Sequence, residues 1–514
     1  MLSDEHAPLP TNDSARPANA RQEARPGADR RRLFLLAFGA GFAVLTIEIA
    51  GARLIAPVFG LSVVPWTAVI GVILAALAVG SHVGGRLADA GRMPLSTVLL
   101  YAGVTCALPV VGAGVPWWAR ELLGFIPGAV ASALILFAPP VLCLGAVVPY
   151  LVKADTESLG SVGRRAGDMS AAATAGSIAG SFTTGFVLLP MLPLPALLAV
   201  TAGALFLMAG LSWRVLGGGP SDARLLRSAV GVGFLGLVAS AYPTDMLHRQ
   251  QTLYSSVQVT ERAWADGRLV REMWQNGGSS SAEYTDTDEP AHLYAIASLA
   301  HLAPVLARSE SLLVLGGAAL TLPVAFQARR PGLRIDVVEI DPVVTELAAE
   351  YFAFGKRPYP NVTVVHEAGR VFLRRTETRY DIVYLDVFDH LLTVPWTMVT
   401  TEALADMSAR LAPRGVFAAN VLSPLAGPGT EFLARFRATL AKVFPEVRVY
   451  MTSPDLDREA TQNLIVLASN EAGTLPHVDA LEAPVAAAGR PLTDAWAPVE
   501  YLQAKVFAGG LTWR

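Results

Sequence analysis

Charged side chains are scarce in this 514-residue chain, which has a formal net charge of −3. They make up 16% of the residues, whereas a soluble protein usually has about 25%. Hydrophobic residues make up 53%, and the mean hydropathy is +0.44. Because no basic excess is present, we exclude nucleic acid as a partner. The two cysteines, Cys106 and Cys143, both fall in apolar segments, which supports neither a disulfide framework nor a metal site.

The apolar excess lies between Leu33 and Tyr242, in runs that mostly approach the ~20 residues of a membrane-spanning helix. We therefore predict a transmembrane bundle of six to seven helices over 31–245. Residues 1–30 should form a disordered tail, and no signal peptide is apparent. The last run is short, so a spanning helix and an interfacial helix both remain open for it. The apolar runs are 33–56, 64–85, 95–116, 126–152, 170–190, 195–213 and 228–242.

Basic residues in alternate loops predict the orientation of this multi-pass protein in the cell membrane. Cytoplasmic loops are enriched in Lys and Arg, which places the N-terminus in the cytoplasm. Six spans would leave the C-terminal domain in the cytoplasm, and we favour that location; a seventh span would place it outside. The basic residues are Arg30, Arg31, Arg32, Arg86, Arg92, Lys153, Arg164, Arg165, Arg214, Arg224 and Arg227.

Two charges, Glu48 and Arg53, interrupt the first apolar run. Charges inside a membrane are costly and are usually paired or functional, so they can mark a polar site that faces a cavity of the bundle. Alternatively, Arg53 extends to the lipid headgroups while Glu48 supports a helix contact. The sequence leaves both interpretations open.

From residue 246 the pattern changes to strands alternating with helices, which is typical of a mostly parallel sheet. We predict a second domain over 246–514, with a β-hairpin layer at 250–280 and a Rossmann-like part at 292–470. The turn Asn276-Gly277 ends the second hairpin strand. The predicted strands are 252–261, 270–274, 311–315, 334–339, 362–366, 381–385, 415–421, 446–451 and 462–468. The predicted helices are 292–306, 319–329, 342–353, 368–376, 401–411 and 429–443.

Three of these strands end on glycine or on acids. A doubly wound sheet uses glycine and then acids at its strand ends to hold an adenosine-bearing ligand in the crevice at its carboxyl edge. The three segments are SLLVLGG (311–317), IDVVEIDP (335–342) and YDIVYLDVFD (380–389).

Each strand end has a predicted role. Gly316 and Gly317 allow close backbone approach to a ligand, but no full G-x-G-x-x-G is present and no Lys-Ser/Thr follows, which excludes a triphosphate loop. Glu339 can accept the ribose hydroxyls, or it can be a helix N-terminal acid. Asp386 and Asp389 can bind an amine and take its proton, or they can form a turn and a helix cap. Together with Glu339, the pair favours function.

The series VLGG, DVVEIDP, YDIVYLDVFD, VPWTMVTTEAL and LAPRGVFAANVL resembles the spermidine synthase (polyamine aminopropyltransferase) family. The whole chain resembles the membrane-fused branch, in which helices precede the synthase domain. The resemblance implies a Rossmann-like S-adenosylmethionine-dependent-transferase fold. It also implies that Glu339 holds the ribose, Asp386 accepts the proton of the amine, Asp389 binds the amine and Pro395 lies beside the nucleoside.

The chain departs from the soluble members of the family at three places. Their diamine-binding aspartate in the glycine turn is replaced by Ala318 or Ala319. The Gly-Asp pair that contacts adenine reads His-Glu-Ala-Gly at 366–369, so Glu367 would act from one position away. Their Tyr-His-Glu reads Ala-His-Leu-Tyr at 291–294, which leaves His292 and Tyr294 as candidates for substrate binding. The loss of these carboxylates would weaken the binding of a diamine, which carries two positive charges.

The leading hypothesis is a membrane-bound enzyme that transfers an aminopropyl group from decarboxylated S-adenosylmethionine to an amine such as putrescine, without a metal. Its partners would be the small-molecule amine and the lipid bilayer, and a homo-oligomer remains open. One alternative is a synthase-like sensing or scaffolding module that has lost catalysis. Another is a transporter of polyamine-related cations, with Glu48 as a candidate site.

Overall fold

The computed structural model describes residues 30–60, 63–156, 159–216, 246–388, 393–427, 429–476 and 481–508. Three predictions therefore lie outside the described residues. These are the tail before Arg30, the short apolar run at 228–242 and the role of Asp389.

The predicted apolar runs up to residue 213 all form helices. Five helical segments are long and apolar enough to cross a membrane, and a bent pair at 95–123 adds a sixth if it counts as one span. That pair bends by 69°, because Pro109 and Pro116 each begin a new short helix. The helices are α1 (Arg30–Phe59), α2 (Val63–Ala90), α3 (Leu95–Thr105), α4 (Leu108–Val111), α5 (Val115–Leu123), α6 (Phe125–Gly145), α7 (Val147–Asp155), α8 (Val162–Thr183), α9 (Leu189–Met191) and α10 (Leu194–Leu216).

Small residues hold α1 against α8. A Cβ added at Gly176 would collide with the backbone of Phe38, and one added at Gly180 would come within 2.6 Å of the carbonyl oxygen of Phe42. These two glycines therefore allow the close packing of the two helices.

Ion pairs cluster at the end of the bundle where α1 begins. Arg30 pairs with Asp168 (2.5 Å) and with Asp155 (3.5 Å). Arg165 also pairs with Asp155 (2.9 Å), and Lys153 lies 3.8 Å from Asp89. The basic loops predicted to share one side of a membrane therefore do meet at one end of the bundle.

The C-terminal domain contains two sheets and helices packed around them. A four-stranded antiparallel sheet has the order β1-β2-β3-β4, and a seven-stranded sheet has the order β10-β11-β9-β8-β5-β6-β7. Strands β5 to β9 are parallel, while β10 and β11 pair antiparallel at one edge. The strands are β1 (Met246–Gln251), β2 (Ser256–Ala263), β3 (Leu269–Gln275), β4 (Gly278–Tyr284), β5 (Ser311–Leu315), β6 (Arg334–Glu339), β7 (Val362–His366), β8 (Tyr380–Leu385), β9 (Leu411–Ser423), β10 (Glu446–Met451) and β11 (Gln462–Ser469).

The helices of this domain cover the larger sheet. The six predicted helices are confirmed to within two residues, except that the one predicted over 342–353 breaks at Phe352. The last helix, Val499–Ala508, was not predicted. The helices are α11 (Leu293–Leu306), α12 (Thr321–Arg329), α13 (Pro342–Tyr351), α14 (Ala353–Lys356), α15 (Gly369–Arg375), α16 (Thr401–Ala409), α17 (Glu431–Val443) and α18 (Val499–Ala508).

The predicted hairpin layer is larger than the sequence indicated. The strand predicted over 252–261 begins only at Ser256, as β2, and two further strands, β1 and β4, were missed. Strand β4 reads GSSSAEY and lacks the apolar alternation of a half-buried strand, although Glu283 within it is fully buried. Its pairing with β3 follows from the predicted turn at Asn276-Gly277.

The two parts of the chain meet at the far end of α1. Arg53 donates hydrogen bonds to the carbonyl oxygens of Thr252 (3.3 Å) and Leu253 (3.0 Å). The turn at Gly277 packs against the backbone of Pro57. Arg53 therefore contacts the second domain, a role that neither interpretation of the sequence included.

Apolar contacts extend this junction. Leu422, Ala504 and Val506 of the C-terminal domain belong to the same buried cluster as the core of the bundle. Since Arg53 lies about 35 Å along the helix from Arg30, the C-terminal domain sits at the opposite end of the bundle from the basic loops.

Candidate active site

The carboxyl ends of β8, β5 and β6 lie side by side, because β5 pairs with both of the other strands. The amide of Gly316 donates to Val338 (2.9 Å), and the amide of Asp386 donates to Leu315 (2.9 Å). The glycine turn is therefore held between Glu339 on one side and Asp386 on the other. This is the crevice in which doubly wound sheets bind their ligands.

The turn after β5 has an unusual backbone. Gly316 has a φ of 93°, and a Cβ there would collide with the carbonyl oxygen of Asp386, so only glycine fits. Ala318 (φ 42°) and Leu320 (φ 59°) also adopt left-handed conformations, which are costly for residues other than glycine. Strain of this kind concentrates at ligand sites.

The structure also resolves which alanine takes the place of the missing aspartate. Ala319 is buried in a cluster with Val257, Val259 and Met273, and its amide donates to Ser281. Ala318 instead lines the cavity over the sheet edge. Only a side chain at position 318 would face a ligand.

Glu339 is 7% exposed and accepts three backbone hydrogen bonds. Its Oε2 accepts from the amides of Gly317 (2.9 Å) and Ala318 (3.1 Å), and its Oε1 accepts from Asp341 (3.0 Å). Burial raises the pKa of this carboxyl group, while the three amides oppose the rise. A carboxylate has about four acceptor positions, so about one remains for a ligand hydroxyl.

Asp386 is a partly buried acid with two polar neighbours. Its Oδ1 accepts from the side-chain amide of Asn420 (3.0 Å), whose oxygen in turn accepts from Asn463 (2.8 Å). The hydroxyl of Tyr294 lies within reach of Asp386 and 3.1 Å from the carbonyl oxygen of Ser280. Burial raises the pKa of Asp386 to about 6, against the lowering effect of the bonds from Asn420 and Tyr294.

Two aromatic side chains predicted to bind substrate stand near this acid. Burial and the charge of Asp386 raise the pKa of Tyr294, so its hydroxyl stays protonated. His292 has its Nε2 at 3.0 Å from the Oγ of Ser279, and burial lowers its pKa to about 4, so it is neutral at pH 7.

The remaining predicted residues lie on the wall of the same cavity. Glu367 pairs with Arg375 (2.9 Å), so its charge is already neutralised. Pro395 precedes a short 3₁₀ turn, Trp396–Met398. The cavity has a volume of about 1750 Å³, enough for a nucleoside and a second substrate. Its wall includes every predicted site residue that the structure describes: Gly316, Gly317, Glu339, Glu367, Asp386, Pro395, His292 and Tyr294.

Three parts of the cavity were missed by sequence reasoning. The only indication of Asn420 in the sequence is that it is a polar residue within the apolar strand β9. The bundle contributes Trp117 and Arg120 to the wall, which the sequence could not show. A pair formed by Arg262 and Glu272 also lines the cavity.

A glycine turn, an acid at the next strand end and a partly buried carboxylate beside them form the ligand crevice of a Rossmann-like domain. Residues 295–470 match the spermine/spermidine synthase domain. This is the family that the order of glycine and acids in the sequence resembles.

Several known proteins are similar to this chain. The polyamine aminopropyltransferase of Vibrio vulnificus (strain CMCP6) is 29% identical over 186 residues, which cover 35% of this chain and 60% of that protein. A probable polyamine aminopropyl transferase of Bifidobacterium longum (strain NCC 2705) is 32% identical over 143 residues, covering 28% of this chain and 31% of the relative. The chain thus spans less than two thirds of the length of these relatives. The crystal structure of a probable spermidine synthase from Corynebacterium glutamicum ATCC 13032 is 22% identical with a TM-score of 0.38, covering 45% of this chain and 81% of that one.

Proposed function

We propose that this protein is a membrane-bound aminopropyltransferase that uses decarboxylated S-adenosylmethionine and an amine. The observation that carries the proposal is the partly buried carboxyl group of Asp386, which lines the cavity across the glycine turn from Glu339. A carboxylate with a pKa of about 6 is ionised at neutral pH and can still accept a proton.

The reaction would be a single displacement at the aminopropyl carbon bound to the sulfonium. The amine nitrogen forms a new C–N bond while the C–S bond breaks, and 5′-methylthioadenosine leaves. The proton lost by the amine goes to Asp386. Because no covalent intermediate forms, most of the acceleration comes from holding the two substrates in line.

Each remaining contact supports this assignment of roles. Glu339 would accept a ribose hydroxyl in its free acceptor position. Asn420, oriented by Asn463, donates to Asp386 and keeps its second oxygen available to the amine. Tyr294 stays protonated beside the same acid and limits its movement.

The proposal is tested with the full chain reconstituted in lipid nanodiscs. Decarboxylated S-adenosylmethionine and a panel of primary amines should release methylthioadenosine, whereas S-adenosylmethionine itself should not react. Nucleoside binding without release from any amine would favour the alternative of a sensing module. Absence of both binding and release would remove the proposal.

The activity should fall on the acid side of neutrality. Only the ionised form of Asp386 accepts a proton, so kcat should be half its plateau near pH 6 and about tenfold below it near pH 5. The affinity for methylthioadenosine, measured over the same pH range, separates this titration from that of Glu339. A kcat that stays constant down to pH 5 would show that Asp386 is not the base.

For location, we propose that the N-terminus is cytoplasmic and that the C-terminal domain faces the opposite side of the membrane. This departs from the cytoplasmic location favoured from the sequence. The support is that the ion pairs of Arg30 and the interdomain contact of Arg53 lie at opposite ends of the bundle. If the bundle spans a bilayer, a cytoplasmic N-terminus is therefore incompatible with a cytoplasmic C-terminal domain.

Cysteine labelling tests this orientation, because both native cysteines lie in the helical bundle and can be removed. A cysteine at exposed Asp266 should react with a membrane-impermeant maleimide in intact cells. A cysteine at exposed Arg164 should react only after lysis. The reverse pattern would place the C-terminal domain in the cytoplasm.

A further inference from the structure

The cavity holds a second buried acid, Glu272, that is already paired. Glu272 is 2% exposed, and its Oε2 accepts a hydrogen bond from the Nε of Arg262 at 2.8 Å. Its Oε1 accepts from the hydroxyl of Ser279 (3.0 Å). Both residues of the ion pair line the cavity with Asp386. A cation of the protein itself therefore neutralises this carboxylate.

Aromatic rings complete the surroundings of the pair. The guanidinium of Arg262 lies 5.6 Å from the centre of the Trp274 ring, and Trp264 stacks on His292 at 6.2 Å. A carboxylate beside tryptophan faces is a favourable place for an ammonium group. Arg262 fills that place, and a second ammonium would meet a positive charge there.

Two further acids on the cavity wall have partners of their own. Glu367 pairs with Arg375, and Asp341 accepts from Thr252 (2.5 Å) and caps helix α13. Glu121 is an exposed acid on the bundle side of the wall, after Arg120, which donates to the carbonyl oxygen of Val58. With alanine at position 318, the described wall presents Asp386 to an amine but offers little to a second positive charge.

Apolar side chains make up much of the rest of the wall. Trp117, Tyr254, Leu293 and Leu456 all line the cavity, and each is at least 39% exposed. Trp117 comes from α5 of the bundle, where Trp118 and Leu122 are exposed as well. Exposed apolar surface that continues into a cavity is typical of a site for an apolar ligand.

We propose that the amine substrate carries a single positive charge and an apolar body, and that Arg262 excludes diamines by occupying Glu272. This inference rests on the aminopropyl transfer proposed above and names its substrate class. The ammonium end reaches Asp386, while the apolar body lies along the tryptophan-lined wall.

The wild-type chain in nanodiscs tests the substrate class directly. Butylamine and putrescine have the same carbon chain and differ by one amino group, so their kcat/KM values should differ about tenfold in favour of butylamine. Hexylamine and octylamine should gain about two- to fourfold for each added methylene. A preference for putrescine over butylamine would overturn the inference while leaving the transfer activity intact.

Removing the internal cation should abolish this preference. Arg262→Gln frees Glu272, so putrescine should gain at least tenfold in kcat/KM relative to butylamine. Arg268→Gln is the matched control, because Arg268 pairs with Asp286 (2.6 Å) in the same part of the domain but does not line the cavity. Its substrate ratio should stay at the wild-type value.

Two further readouts keep the test decisive. Arg262→Lys retains the charge and should retain the preference for butylamine, which separates charge from fold. Binding of methylthioadenosine should be unchanged in both Arg262 variants, since the nucleoside site is distinct. An unchanged substrate ratio in a folded Arg262→Gln protein that binds methylthioadenosine normally would refute the role of Arg262.

Discussion

Asp386→Asn is expected to lower kcat by at least about 10³-fold while the affinity for methylthioadenosine changes less than about threefold. The amide keeps the shape and the hydrogen bonding of the site, but it cannot take the proton of the amine. General base catalysis usually contributes about 10²- to 10⁴-fold. Single-turnover release of methylthioadenosine measures the chemical step, and calorimetry measures nucleoside binding.

Asn420→Asp is a useful companion to this variant. It places a second carboxylate against Asp386, where two like charges disfavour ionisation of both. The acid limb of the pH profile should therefore move to higher pH, with activity recovered as the pH rises. Full activity in Asp386→Asn would show that another group accepts the proton.

Glu339→Gln is expected to weaken nucleoside binding by about 10- to 100-fold. Its carboxylate accepts amides on both oxygens, whereas glutamine offers one acceptor and one donor. One side of the glycine turn then faces an NH₂ group, and an unsatisfied buried amide costs about 1–3 kcal/mol. Calorimetric titration with methylthioadenosine measures the loss.

Glu346→Gln is the control for this variant, because Glu346 is an exposed acid on helix α13 just after the same strand. It should bind methylthioadenosine as the wild type does. Equal affinities of Glu339→Gln and the wild type would mean that the ribose is held elsewhere.

The sequence was most informative where local patterns determine structure. Short apolar runs predicted β5 to β8 closely, since each run ends sharply at glycine or at polar residues. Parallel order then brings Gly316, Glu339 and Asp386 to one edge, because the carboxyl ends of neighbouring parallel strands coincide. The predicted residues that line the cavity follow from this rule.

The remaining features depend on contacts between distant parts of the chain. Strand β4 has a serine-rich sequence and forms only because it pairs with β3. Arg262 and Glu272 are diagonal neighbours in the pairing of β2 with β3, and no local pattern marks them as part of a ligand site. The contact of Arg53 with Thr252 joins residues that are 199 positions apart.

The contact between α1 and the second domain bears on how the protein can be divided. A fragment that begins at β1 would lose the guanidinium that caps the carbonyl oxygens of Thr252 and Leu253. It would also expose Leu422, Ala504 and Val506 to water. Since Thr252 binds Asp341, whose amide holds Glu339, truncation would loosen the ribose acid from a distance. The helical bundle therefore supports the nucleoside site, and we expect the affinity of the protein for nucleoside to depend on the detergent that surrounds the helices.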